Sequence, residues 1–141
     1  MENADVRRRV REAMTGAKRR STERRQQLDE ASRAWAAVLP DVIVPLARQV
    51  VQALAAEAVR LQMSTPGERV LIASEHRPED YVELALEPAG DDAVVIMRAT
   101  QGRAGLTEER VLARGAPGIE SLTEEQLLDA LLEGLAPWLA R

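Results

Sequence analysis

The sequence predicts an α+β fold: a four-stranded antiparallel β-meander flanked by a long, proline-interrupted N-terminal helical region and an amphipathic C-terminal helix. Three observations carry this expectation. Apolar residues recur at three- and four-residue spacing in the first half of the chain, and again after Leu122. Between those stretches lie four short runs rich in β-formers, separated by turn chemistry. The separators are too short to carry crossover helices, so successive strands should be antiparallel neighbours.

Residues 5–39 read as helix. Val6, Val10, Ala13 and Ala17 fall at helical spacing, and so do Leu28, Ala31, Trp35 and Val38. Thr15-Gly16 is a candidate break. Lys18–Gln27 is almost wholly polar, which predicts either a solvated helix or a partly disordered segment. Pro40 disfavours the α conformation at Leu39, so the first helix should end or kink there, with Asp41 capping a second. Ile43, Leu46, Ala47, Val50, Val51, Leu54, Ala58 and Leu61 then form one stripe, closed by Ser64-Thr65-Pro66-Gly67.

The strands are expected at Arg69–Ser74, Asp80–Glu87, Asp92–Thr100 and Leu106–Ala113. In the second, Val82, Leu84 and Leu86 share one face, as a half-exposed strand requires. The third is apolar on both faces, so it should be central, with part of its second face covered. At the C-terminus, Thr123 and Gln126 make a capping box, and Leu122 and Leu127 a hydrophobic staple. Leu127, Leu128, Leu131, Leu132, Leu135 and Leu139 are read as one apolar face, with Pro137 bending or ending the helix. The second and C-terminal helices should pack on the sheet against Val82, Leu84 and Leu86.

Composition narrows the function classes. The chain has 141 residues, about one domain. Without Cys there is no disulfide, thiolate nucleophile or Cys-based metal site. No run approaches the roughly 18 consecutive apolar residues of a membrane span, and the N-terminal arginines are not followed by an apolar signal segment. The expectation is a cytoplasmic protein with no membrane partner. Charge is unevenly placed. Residues 1–25 hold nine basic groups against four acids, a net of +5, and the other 116 residues hold ten against nineteen, a net of −9. This divides the chain into a basic arm, residues 1–27, and a single α+β domain, residues 28–141.

No catalytic signature stands out. His76 is the only histidine; it lies among Glu75, Arg77, Glu79 and Asp80, and a polar loop explains it better than a metal site or a base. Gly90-Asp91-Asp92 has the form of paired metal-binding carboxylates, but Gly-Asp is also a favoured hairpin turn. Gly102-Arg103-Ala104-Gly105 has the form of a phosphate-clamping loop between helices, yet here it should join strands. No serine sits in a nucleophile motif and no glycine-rich loop precedes a helix. The chain is therefore expected not to be an enzyme and to need no cofactor or metal.

The feature with functional content is the arm. Arg7, Arg8, Arg9, Arg11, Lys18, Arg19, Arg20, Arg24 and Arg25 could meet a polyanion or an acidic partner. Against nucleic acid stand the acidic body and the lack of aromatic residues in the arm for stacking on bases. Trp35 is either an interface anchor or a cap on the chain's own core. The order helix, antiparallel strands, helix is loosely similar to that of small dimeric nucleoid proteins and of the acidic chaperones of bacterial secretion systems. The likeness lies in topology alone and carries no site residue. The function expected is a small protein-interaction module, an adaptor or chaperone-like homodimer, with nucleic-acid association through the arm as the alternative.

Overall fold

The computed structural model describes residues 1–140. Helix α1 runs unbroken from Asn3 to Val38, 36 residues, about 54 Å at the standard helical rise. Thr15-Gly16 does not interrupt it. Strong helix formers surround that glycine, and a single Gly costs only about 1 kcal/mol. Lys18–Gln27 is a solvated helix, supported by the Arg19–Glu23 pair and by Thr22 Oγ1 donating to the Lys18 carbonyl. So long a helix with one exposed half is stable because its C-terminal half is packed and supplies the nucleus.

Pro40 does not separate two helices by a loop. It sits in a π-helical turn, Leu39–Ile43, through which the chain runs directly into α2, Val44–Ala56. The wider turn accommodates a residue that lacks an N–H. Asp41 caps nothing: the residue before α2 is Ile43, which makes no side-chain cap. The helical run Asn3–Ala56 contains a window of mean hydropathy 1.4, long and apolar enough by composition to cross a membrane. A third of that window is buried within the fold, and Ile43, Leu46, Ala47 and Val50 give it a place in the core.

The sheet has five strands, not four, in the order β1 Leu61–Ser64, β2 Val70–Ser74, β3 Asp80–Ala89, β4 Asp92–Gln101 and β5 Leu106–Arg114. All pairs are antiparallel. The additional strand is β1, whose Leu61 the sequence pattern assigns to the second helix. That helix stops earlier, because Ala58 takes a left-handed conformation, φ 63°. Val59 N–H then donates to the Leu54 carbonyl and Ala58 N–H to that of Ala55, the paired bonds of a Schellman cap. Alanine there bears the Cβ penalty that glycine avoids. Ala58→Gly is expected to raise stability by about 0.5–1 kcal/mol in urea denaturation; a loss would show that the cap is not the native helix end.

One sheet face carries the core. Val70, Ile72, Val82, Leu84, Val95 and Met97 meet Ala31 and Trp35 of α1, Leu46 and Val50 of α2, and the last helices. These are α3 Gly115–Glu120, α4 Glu124–Gly134 and α5 Ala136–Leu139. Thus α1 joins α2 and α4 on this face. The capping box at Thr123 is formed in both directions: its hydroxyl accepts from Gln126 N–H and its own N–H donates to Gln126 Oε1. The leucines of this region do not share one face. Leu127, Leu131 and Leu135 are buried, whereas Leu128, Leu132 and Leu139 are exposed. The apolar arc is simply wider than one contact covers.

The hairpin tips are tied down by short contacts. Gly90, φ 62°, is the first of two turn residues between Ala89 and Asp92, the positive-φ position of a tight hairpin. At the opposite end of the sheet, Gly102 N–H donates to buried Asp80 Oδ1 at 3.1 Å. A Cβ on Gly102 would stand 2.7 Å from that of Glu79, so glycine permits the close approach of the two loops.

Candidate functional site

Three surfaces combine polar chemistry with incomplete burial. The first is the arm. Residues 1–27 are exposed throughout, apart from half-buried Gly16, and the first α1 residue to reach the core is Leu28. All nine basic groups named above therefore face solvent. Among the described residues, Arg8 pairs with Asp5 and Arg19 with Glu23, and no other of the nine is in an ion pair. The arm also exposes Val6 by 43%, Val10 by 51% and Met14 by 54%. At about 100° per residue, Val6, Val10, Ala13, Met14 and Ala17 fall within an arc of about 100°. Leu28, Ala31 and Trp35 occupy the same arc where α1 meets the core. Thus the helix carries a core-type stripe beyond the end of its own core, interrupted by Ser21 and Arg24.

Trp35, the interface candidate, lies instead in the chain's own core, 1% exposed, where its indole N–H donates to the Glu68 carbonyl at 2.7 Å. It forms the inner wall of a groove of about 330 Å³ between α1 and the sheet, with Leu28, Leu86, Arg69 and Glu87 around it. On the arm side, Arg20, Ser21, Arg24 and Gln27 form a polar groove with Asp91 of the β3–β4 turn.

The second surface is the sheet face away from the helices. Ala85, Val94 and Ile96 are buried there although they lie outside the main core. Their cover comes from charged side chains. Arg98 stands opposite Glu83 on β3 and Glu109 on β5. Its guanidinium contacts Glu83 at 3.4 Å and Glu109 at 2.8 Å, and reaches along the strand to a two-pronged contact with Glu87. Glu87 is the cross-strand partner of Val94, so the Arg98 stem must pass over Ala85 and Ile96. Arg69 extends the cluster by binding Glu83 at 2.8 Å. The Arg98 hydrogen bonds hold the Glu87 carboxyl below its ordinary range, against a smaller opposing effect of desolvation, and Glu87 and then Glu109 raise Arg98 further. Cover for the second face of β4 is thus supplied within the chain.

The third is the outer side of α4, where Leu128 and Leu132, 36% and 38% exposed, stand among Glu124, Glu125 and Asp129.

The sequence motifs are not brought together. His76 is exposed in the β2–β3 connection. Asp92 Oδ1 accepts from the Ala93 N–H at the β3–β4 turn, and Gly102–Gly105 closes the β4–β5 turn, Gly105 N–H donating to the Gly102 carbonyl. Among the described residues no group of three His, Asp or Glu side chains converges as a metal site would require. The sequence alone does not reveal the Arg98 cluster, because Glu83, Glu87, Arg98 and Glu109 fall on one face only through the strand register. No family model, curated protein or solved structure matches the chain.

Proposed function

We propose that the chain is a non-enzymatic protein-interaction module whose binding element is the exposed half of α1. The observation that carries this reading is the stripe Val6, Val10 and Met14, exposed on a helix that elsewhere uses the same face for core packing. A helix of this kind gains apolar burial only by docking into another surface. Its flanking arginines select an acidic one, since opposite charge speeds encounter and fixes register.

Nucleic-acid association is the second reading. It is favoured by seven basic groups of the arm standing outside any ion pair among the described residues. Phosphate binding uses such charge without needing an apolar stripe, whereas docking on protein needs both.

The two separate in one experiment. Full-length protein and a chain of residues 28–141 are titrated with mixed-sequence DNA and RNA across a salt series. Under the protein-interaction reading neither form binds appreciably at physiological salt. Binding that weakens steeply with salt and vanishes in the truncated form would overturn it in favour of nucleic acid. Because residues 1–27 bury almost nothing, their removal is expected to leave the melting temperature within about 3 °C. A larger drop that does not change with protein concentration would mean that the arm packs on its own body.

A further inference from the structure

We infer that the occupant of the arm is the outer side of α4 in a second copy of the chain, each arm lying on the other copy's α4 about a two-fold axis. The inference rests on the reading of the arm as a docking helix and names its partner. Three observations converge on that seat.

The first is charge. The arm stripe is bordered by Arg9 and Arg20 on one side and by Arg7 and Lys18 on the other. The exposed leucines of α4 are bordered by Glu124, Glu125 and Asp129. Two arms packed on each other would oppose arginine to arginine; an arm on α4 opposes arginine to carboxylate.

The second is shape. Val6, Val10 and Met14 lie along about 12 Å of one helix face, and Leu128 and Leu132 stand one turn apart, about 6 Å, on α4. Both present apolar side chains that the single chain leaves exposed. Laid together they make the apolar centre and charged rim of a protein interface.

The third is reach. Since α1 is unbroken from Asn3 to Val38 and leaves the core at Leu28, it extends about 37 Å past that residue, and the stretch before Arg20 lies beyond the groove shared with Asp91. A straight helix cannot return to its own α4. A second copy can supply that surface, and a two-fold satisfies both arms and both ridges at once.

The test is sedimentation equilibrium of four proteins: the full chain, residues 28–141, Val10→Glu/Met14→Glu and Leu128→Glu/Leu132→Glu. All four altered side chains are exposed, so the variants should fold, which circular dichroism checks. The full chain is expected to be a dimer that weakens at least about tenfold between 50 and 500 mM salt. The other three should be monomers, and mixing the two double variants should restore weak pairing through the one intact arm–α4 contact. A full chain that stays monomeric at about 100 µM in low salt overturns the second copy as occupant but leaves the docking-helix reading to the salt titration above. Loss of the dimer in the arm variant alone keeps the docking helix and overturns the α4 seat. A dimer that survives in both variants is held by another surface and overturns the arm–α4 contact, again leaving the docking-helix reading to the salt titration.

Discussion

Trp35→Ala is expected to cost about 3–5 kcal/mol, the range for emptying a buried aromatic site. Trp35 is the largest of the three fully packed residues that hold α1 to the body, the others being Ala31 and Ala34. Its indole N–H also satisfies the Glu68 carbonyl in the β1–β2 connection. The variant loses ring volume and a bond between two elements far apart in sequence. For a domain of ordinary stability, about 5–15 kcal/mol, that leaves little margin at 37 °C. Trp35→Phe separates the two losses. It keeps most of the ring but leaves the Glu68 carbonyl without its donor, so about 1–3 kcal/mol should go. Trp138 supplies the control: it is also buried, yet its indole N–H has no hydrogen-bond partner among the described residues. Trp138→Phe removes a polar group already unsatisfied and should cost less than Trp35→Phe in the same urea titration, followed by circular dichroism. Equal losses would show that the Trp35–Glu68 bond contributes nothing beyond packing.

How far the sequence foretells this arrangement depends on where the decisive interaction lies. The long α1, the antiparallel meander and the uneven charge are local properties, carried by spacing and turn residues within a few positions of one another. The end of α2 is local too, but its marker is missing. The left-handed residue is Ala58 rather than glycine, and Leu54, Ala58 and Leu61 continue a helical spacing. The stripe therefore ran on into β1. The exposed side of α4 was hidden for the opposite reason: six leucines fit one arc, and only packing shows that the sheet and α2 bury Leu127 and Leu131 but not Leu128 and Leu132. Trp35 was ambiguous because a tryptophan at the edge of a helix pattern serves a core or an interface equally well; the Glu68 carbonyl, 33 residues away, decides it. The cover over β4 depends on register, since only the pairing of Arg98 with Glu83 and Glu109 puts the arginine among carboxylates.

That dependence makes Arg98→Ala the second large effect, and one with a definite pH signature. The substitution removes the cation that Glu83, Glu87 and Glu109 share, and the aliphatic stem that shields Ala85 and Ile96. Because the Arg98 side chain is only 25% exposed, the contacts are less screened than ordinary surface pairs, and a loss of about 1–2 kcal/mol at pH 7 is expected. The sign with pH follows from Glu87. Its carboxyl is held below the ordinary value of 4.5 in the folded state. The pair thus stabilises the fold at every pH above that value, and the contribution is lost as pH falls through the depressed one. In the variant the neighbouring carboxylates repel one another, so protonation relieves the folded state. The two stability curves should therefore lie furthest apart near neutrality and converge below about pH 4. Arg98→Lys, a point charge without the planar fork, should recover only part of the difference, because it cannot hold Glu87 by two bonds and still reach Glu109. A gap that stayed constant from pH 7 to pH 3 would assign the whole effect to the uncovered Ala85 and Ile96, and none of it to the ion cluster.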